Sequence, residues 1–431
     1  MQDPRGTASP IGSGAVHPFL DALHERVLVL DGAFGTWMQG HDLGADDFGG
    51  EVLEGCNENL VATRPDLVSQ MHDEFFAAGV DGVETATFGA FPLVLNEYGI
   101  ADQTFELNRQ AAQLAREVAS GHSADGRPRF VIGSIGPGTR LPSLGQIKYT
   151  TLRDDYELQV DGLIAGGVDV LLIETVYDLL QAKAAINGAR RAMQRADLSN
   201  PIPIIVQVTV ETTGRMLVGT EIGAALTALE AMRPDVIGMN CATGPAEMTE
   251  HLRYLAQHAR TFLSALPNAG LPSVVDGHTH YDLTPPLLAE AHERFTTEFG
   301  LNVVGGCCGT TPEHLRQVVE RLDHRAPVLR NPEFEPGCSS IYSHVPFEQE
   351  LAYLAIGERT NANGSRKFRD AMLEADWDSC VQMAREQVKE GAHVLDVCVD
   401  YVGRDGAIDM DEIAGRFATQ ASLPLVFDST E

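Results

Sequence analysis

Three cysteines are the strongest candidates for chemistry in this sequence. Cys307 and Cys308 are adjacent and follow the apolar segment 302–306, which is typical of a buried strand that ends where a backbone or a ligand comes close. Cys241 ends another apolar segment, 236–240. Two structural alternatives are a core thiol beside a bystander, or a strained disulfide. The functional alternative is three thiolates around one metal ion with an open position, which is the ligand count of catalytic zinc.

The elements that position these cysteines follow from alternating helix and strand patterns. Apolar residues have helical spacing from Pro65 to Ala78, and a strand pattern follows directly. Eight strands are predicted in the same alternation, at residues 27–30, 80–88, 130–134, 167–174, 202–209, 236–241, 261–267 and 302–307. Eight βα units within about 300 residues predict a (β/α)8 TIM barrel, with a doubly wound open sheet as the main alternative.

The carboxyl ends of the strands form the catalytic face of such a barrel. Polar residues lie at or just past the predicted ends: Asp31, Glu84, Ser134, Glu174, Thr209, Asn240, Cys241, Asn268, Cys307 and Cys308. Cys241 closes the sixth strand and the vicinal pair closes the eighth, so the sulfurs can converge although 66 positions separate Cys241 from Cys307. The barrel therefore favours the zinc site over the structural alternatives.

Other residues and motifs in the sequence could also bind a ligand. His278-Thr279-His280 resembles the metal pair of amidohydrolase barrels, but it follows the seventh strand instead of the first, and a solvated loop is predicted. The glycine-rich segment 133–138 lacks the Lys-Ser/Thr of a P-loop and is interpreted as a turn that lines the pocket. Glu174 is either a helix-capping carboxylate or a ligand-binding group, and its place at the mouth of a buried strand favours the second.

Composition excludes several function classes. Hydrophobic residues make up 44% and charged residues 21% of the 431 residues, as in a soluble globular protein of two or more domains. A net charge of -30 argues against nucleic acid or anionic membrane as a partner. A run of about 18 apolar residues, which a membrane span needs, does not occur. Seven cysteines at low density favour a reducing, cytoplasmic setting.

Four regions are predicted along the chain. Residues 1–19, rich in Gly, Ser, Pro and Ala, are expected to be a disordered lead and not a signal peptide. Residues 20–325 form the first barrel, and the proline-containing segment 326–350 is a linker in which Cys338 is a bystander. Residues 351–431 hold about three further βα units, fewer than the eight of a complete barrel. The sequence is therefore expected to be the N-terminal portion of a longer protein, with unpaired strand edges in its second unit.

Several segments of residues 20–325 resemble the homocysteine S-methyltransferase family. These segments are Asp31-Gly32-Ala33-Phe34-Gly35-Thr36, Glu174-Thr175, Gly238-Met239-Asn240-Cys241, Pro267-Asn268-Ala269-Gly270 and Gly305-Gly306-Cys307-Cys308-Gly309. The resemblance implies that Cys241, Cys307 and Cys308 bind zinc and that the sulfur of homocysteine is the fourth ligand. It also implies that Asn268 occupies the open zinc position when substrate is absent.

The resemblance assigns the rest of the homocysteine site as well. Asp31 and Glu174 are implied to hold the ammonium group of the amino acid, with Gly32 and Thr87 beside it. The chemistry is consistent with this assignment, because a thiol of pKa about 8.5 is only a few per cent ionised at pH 7 and coordination to zinc deprotonates it.

Residues 351–431 resemble the opening of the pterin-binding barrel in the multidomain, cobalamin-dependent methionine synthases of this family. The matching residues are Gly357-Glu358-Arg359-Thr360-Asn361, Asp396, Asp400 and Asp428-Ser429. The resemblance implies that Glu358, Asn361, Asp396 and Asp428 bind the pterin. One departure is Cys398, which stands where the family pattern Asp-x-Asn-x-Asp has an amide, so the hydrogen bonding to the pterin is left open.

The predicted function is methyl transfer to homocysteine. Methylcobalamin is the expected donor, recharged by 5-methyltetrahydrofolate, and cobalamin is expected to bind to a domain absent from this sequence, which lacks an Asp-x-His-x-x-Gly motif. One alternative is a cobalamin-independent homocysteine methyltransferase that uses betaine or a methylsulfonium donor. The other is a non-catalytic zinc module whose metal is closed by a fourth protein ligand.

Overall fold

The computed structural model describes residues 17–32, 34–275, 278–350 and 352–429. The predicted disordered lead lies outside the described residues except for its last three positions, and residues 18 and 19 already belong to the first helix. Ala33, in the first of the family segments, also lies outside them.

The first ten strands follow the predicted alternation with one insertion. Their bounds are β1 Leu28–Val29, β2 Gly82–Glu84, β3 Phe130–Ile135, β4 Val170–Val176, β5 Ile204–Val208, β6 Val236–Asn240, β7 Phe262–Leu266, β8 Pro272–Val275, β9 His278–Tyr281 and β10 Val303–Val304. All except β8 and β9 form one parallel sheet in the order β1-β10-β7-β6-β5-β4-β3-β2. A bridge between Leu30 and Gly82 joins its two edges, so the predicted barrel and its eight strands are confirmed.

Helices precede, connect and follow these strands. Their bounds are α1 Pro18–Glu25, α2 Phe34–Gln39, α3 Ala45–Phe48, α4 Leu60–Thr63, α5 Pro65–Ala77, α6 Pro92–Leu95, α7 Thr104–Gly121, α8 Tyr149–Gly166, α9 Leu179–Arg195, α10 Ile222–Ala231, α11 Pro245–His258, α12 Pro285–Glu298 and α13 Pro312–Leu322. Proline opens α5 as predicted, because the first helical N–H has no partner within the helix. Within the described ranges, every helix is too short or too polar to cross a bilayer.

Two hydrophobic clusters fix which end of the barrel is open. Strand side chains alternate, so one set packs outward on the helices and the other fills the interior. The interior set includes Leu28, Phe130 and Val303, and it packs on Phe19 and Leu23 of α1. The rings of Phe19 and Phe130 meet edge to face at 5.3 Å. Since these interior residues lie at or near the starts of their strands, α1 covers the amino-terminal end and leaves the carboxyl end for a site.

Two antiparallel hairpins lie where the sequence patterns indicated only loops. The prediction of a solvated loop at residues 278–280 is wrong, because β8 and β9 pair there. His280 of this hairpin is exposed, and its Nε2 lies 3.1 Å from a carboxylate oxygen of Asp282. Within the segment predicted as a linker, β11 Gly337–Ser339 pairs with β12 His344–Pro346.

A second, smaller parallel sheet follows. It comprises β13 Ile356–Gly357, β14 Val394–Val397 and β15 Leu425–Phe427 in that spatial order, with α14 Arg366–Leu373, α15 Trp377–Lys389 and α16 Gly406–Gln420 between the strands. It has its own core, centred on Phe368, Leu395 and Phe417. The Tyr342 hydroxyl, in the turn between β11 and β12, donates to the Thr419 carbonyl at 3.0 Å and so ties the hairpin to α16.

Candidate functional site

The three cysteines singled out in the sequence meet at the carboxyl end of the barrel. The sulfur atoms of Cys241, Cys307 and Cys308 all lie within 4.8 Å of one another, and those of Cys241 and Cys308 are 3.9 Å apart. All three are free thiols and keep some solvent exposure. No disulfide therefore joins Cys241, Cys307 and Cys308. The distances between their sulfur atoms suit three ligands of one metal ion.

The last residue of β7 and the loop after it hold the two cysteine segments in place. β7 lies between β6 and β10 in the sheet. The Cys241 N–H donates to the Leu266 carbonyl at 3.2 Å, and the Cys307 N–H donates to the Pro267 carbonyl at 2.9 Å. The Ala269 N–H then donates to the Cys308 carbonyl at 2.9 Å. One continuous segment therefore fixes the backbone of all three candidate ligands.

The backbone at two strand ends adopts the left-handed region. Thr175 has φ 56°, Cys241 φ 60° and Ala242 φ 56°. Such conformations cost about 1–3 kcal/mol each in residues other than glycine and cluster at functional sites. The Asn240 side chain stabilises this geometry, because its Oδ1 accepts the Thr175 N–H at 2.7 Å. Cys241 is turned out of regular strand geometry by this arrangement, immediately after β6.

Asp31 is buried just after β1. It connects the loop after β1 to the loop after β10, which carries Cys307 and Cys308. Its Oδ1 accepts the Glu84 N–H at 2.8 Å, and its carbonyl accepts the Gly306 N–H at 2.9 Å. Burial raises the pKa of Asp31 above its ordinary value. Gly32 has φ 110°, and a Cβ there would lie 1.8 Å from the Gly306 carbonyl oxygen, so only glycine fits this contact.

Glu174 is buried at the end of β4 in a wall of polar groups. Its carboxylate accepts hydrogen bonds from the Ser134 hydroxyl at 2.6 Å and the Asn240 amide at 3.1 Å. Thr87 belongs to the same wall, since its hydroxyl donates to the Ser134 carbonyl at 2.8 Å. Burial raises the pKa of Glu174 to about 7. Asp31 and Glu174 act on each other electrostatically, so the structure brings both predicted ammonium-binding carboxylates together.

Asn268 offers an unused acceptor on the loop that holds the cysteine segments. It directly follows Pro267, whose carbonyl accepts the Cys307 N–H. Its side chain is buried, and its Oδ1 has no hydrogen-bond partner among the described residues. A buried carbonyl oxygen without a partner costs free energy unless a ligand uses it, so the placement suits a metal ligand in the absence of substrate.

Sequence reasoning missed several groups that build the site. Ser134 and Asn240 were recognised at strand ends but were given no role, although both donate to Glu174. Tyr281, at the end of β9, places its side chain near Cys308, and its ring lies against Gly309. The sequence signal for Ser134 and Asn240 was their position at strand ends. Tyr281 had none, because it belongs to the hairpin that was predicted as a loop.

The second sheet gathers most of its predicted pterin residues. The Asn361 amide donates to Asp396 at 2.8 Å and to Asp428 at 3.3 Å. Glu358 is exposed and reaches this cluster through its carbonyl, which accepts the Asn361 N–H at 3.1 Å. Cys398, at the position where an amide was expected, is buried.

Fold and site together define a class of protein: a parallel (β/α)8 barrel with three cysteines gathered at its carboxyl end. The chain belongs to the homocysteine S-methyltransferase family, whose model, described as Homocysteine S-methyltransferase, matches residues 28–322. A second family model, described as Pterin binding enzyme, matches residues 357–431.

Curated relatives and solved structures agree with this membership. The chain is 52% identical over 412 residues to a methionine synthase of Mycobacterium tuberculosis and 51% identical over 417 residues to one of Mycobacterium leprae. Each alignment covers 96% of this chain and 34% of the relative, so the chain spans about a third of their length. The metallated homocysteine methyltransferase MmuM of Escherichia coli superposes with a TM-score of 0.57 at 20% identity, over 70% of this chain and 99% of that chain. This last likeness shows the barrel fold.

Proposed function

We propose that this chain is the homocysteine- and folate-binding part of a methionine synthase. In this proposal Cys241, Cys307 and Cys308 hold zinc, and homocysteine accepts a methyl group that comes from methylcobalamin. The observation that carries the proposal is the convergence of three free cysteines, contributed by two strands far apart in sequence, within 4.8 Å. The 52% identity to a methionine synthase supports it.

The donor set fits zinc better than hard cations. Thiolates are soft ligands that suit zinc, and three of them leave the open position that a catalytic site requires. When bound, zinc would supply ionisation of the substrate thiol at neutral pH. Asn268 would hold its Oδ1 ready as a ligand in the absence of substrate. A reducing, cytoplasmic setting belongs to the proposal, because the cysteines must stay reduced to bind the metal.

The residues of the chain would position the substrate for attack. Asp31 and Glu174 lie together at the barrel mouth and would pair with the α-ammonium group, with Gly32 and Thr87 beside them. The hydrogen bonds from Ser134 and Asn240 would keep the Glu174 carboxylate aimed and fixed. The homocysteine sulfur would then form its bond to the methyl carbon as the bond from that carbon to the donor breaks.

The second sheet favours a folate-linked donor over betaine or a methylsulfonium compound. Residues 357–431 match pterin binding enzymes, and the amide of Asn361 gathers Asp396 and Asp428 at the strand ends. We propose that these residues, with Glu358, bind the pterin of 5-methyltetrahydrofolate, which recharges the cobalamin. A single-barrel methyltransferase would have no use for this cluster.

Zinc content and coordination with and without homocysteine test the proposal. We expect about one zinc ion per chain, bound by three sulfur ligands and one lighter atom, and a fourth sulfur ligand after homocysteine is added. X-ray absorption at the zinc edge measures this change. A coordination shell that saturating homocysteine leaves unchanged would contradict the proposal and favour a closed, non-catalytic zinc module.

Glu174→Gln is expected to weaken homocysteine binding while zinc stays bound. The substitution keeps the shape of the side chain but removes the buried negative charge that would pair with the ammonium group. A charge-assisted hydrogen bond of this kind corresponds to a rise of about 10- to 100-fold in KM. Steady-state kinetics against homocysteine, with zinc content measured in parallel, checks the result. An unchanged KM would remove Glu174 from the ammonium site.

A further inference from the structure

A third carboxyl group lies between the two proposed to bind ammonium. Glu84 ends β2, and its N–H donates to Asp31 Oδ1 at 2.8 Å. Its carboxyl group lies within hydrogen-bonding range of the carboxyl group of Glu174. Its Oε1 is buried and receives no hydrogen bond from an N–H or O–H group of the described residues. A buried oxygen that lacks a partner beside two carboxyl groups is a costly arrangement unless a ligand completes it.

Among the described residues, the strongest charge effects on the trio of Asp31, Glu84 and Glu174 come from acidic groups. The titratable groups with the largest effects on these three carboxyl groups are the members of the trio themselves and Cys308, and no lysine or arginine of the described residues is among them. Burial, followed by the nearby charge of Glu174, raises the pKa of Glu84 well above its ordinary value. Two carboxyl groups that hydrogen-bond to each other need a proton between them, since a carboxylate has no donor.

We propose that Glu84 and Glu174 share one proton in the substrate-free protein and that an incoming α-ammonium group displaces it to solvent. One carboxylic O–H bond breaks, and the ammonium N–H groups donate to the oxygens that the proton leaves. This inference rests on the proposed function and refines its ammonium subsite. It makes Glu84 a residue that selects substrates with a free, positively charged amino group.

Proton release on binding of L-methionine tests the inference in the zinc-loaded protein. Methionine carries the α-ammonium group but has no thiol, so a proton released on its binding comes from the protein. Titration calorimetry at pH 7 in two buffers of different ionisation enthalpy counts the protons. We expect release of up to about one proton per methionine bound. In Glu84→Gln we expect this release to disappear and binding to weaken about tenfold.

Glu117→Gln is the matched control, because Glu117 is exposed on the outer helix α7. It should bind methionine and release protons like the unmodified protein. If Glu84→Gln releases as many protons as the unmodified protein, the inference is overturned, while the proposed function stands because the amino acid still binds. If neither methionine nor homocysteine binds the unmodified protein, the proposed function fails and the inference fails with it.

Thermal stability gives a readout that does not depend on binding. A carboxyl group whose pKa is raised by folding takes up protons on folding, so its contribution to stability falls as the pH rises above the ordinary value of glutamate. Glu84→Gln lacks this penalty. Its melting temperature should exceed that of the unmodified protein, by a margin that widens from pH 5 to pH 8. A variant that is less stable at pH 8 would overturn the inference.

Discussion

Cys307→Ala is expected to abolish stoichiometric zinc binding and to lower methyl transfer to homocysteine by at least about 10³-fold. The substitution leaves only Cys241 and Cys308, which lie 3.9 Å apart, and two thiolates do not complete a catalytic zinc site. Without the metal, the substrate thiol stays mostly protonated at pH 7. Zinc content by atomic absorption and methionine formation from free methylcobalamin measure the two effects.

Cys338→Ala is the control for this substitution. It makes the same chemical change at a half-buried thiol in β11, which donates a hydrogen bond to the Val345 carbonyl at 3.9 Å. Zinc content and activity should match those of the unmodified protein. Undiminished methyl transfer by Cys307→Ala would contradict both the metal site and the role of zinc in the proposed chemistry.

The barrel could be predicted because its strands are buried on both faces and carry apolar runs between helical patterns. The same logic located the cysteines, since the carboxyl ends of parallel strands meet at one end of a closed barrel. Neither argument could show that Cys241 has a φ of 60°. That conformation depends on hydrogen bonds from other elements, such as the contact of its N–H with Leu266. The backbone geometry at the site depends on contacts between elements, so the sequence pattern of a single strand does not predict it.

The inserted hairpin shows a second limit of the sequence. β8 and β9 are four residues long each, and they pair with each other in the register of Pro272 with Tyr281 instead of joining the barrel sheet. Strands as short as these give too few positions for apolar alternation to distinguish a strand from a loop. Tyr281 therefore had no signal in the sequence, although its side chain lies near Cys308. Insertions after a barrel strand are where this fold most often adds contacts to its site.

The positions of Asp31, Glu84 and Glu174 could be predicted from the sequence, but the contacts among them could not. Glu84 was placed at the end of a strand together with Asp31 and Glu174, but a strand end alone does not tell which carboxylates touch. The structure places Glu84 against both, through its N–H to Asp31 and its side chain to Glu174. The protonation of a carboxyl group depends on the carboxyl groups that it contacts. Those contacts are known only from the folded barrel.

Gly32→Ala is expected to destabilise the protein by at least about 3 kcal/mol and to reduce zinc content with it. Gly32 has φ 110°, which residues with a Cβ rarely adopt, and the new methyl group would lie 1.8 Å from the Gly306 carbonyl oxygen. The clash is with backbone, so rotation of a side chain cannot relieve it. Relief would have to shift the loop that carries Cys307 and Cys308. Urea denaturation and zinc content measure the two consequences.

Gly35→Ala tests whether any substitution in the segment that follows β1 has the same effect as the clash at Gly32. Gly35 lies in α2, three residues further along, and a Cβ there would meet nothing within 4 Å. Alanine also favours the helical conformation, so this variant should be as stable as the unmodified protein or more stable by up to about 1 kcal/mol. If both variants lost zinc equally, the loop as a whole would be intolerant of substitution. If only Gly32→Ala lost zinc, the close contact between Gly32 and the Gly306 carbonyl would be what maintains the proposed metal site.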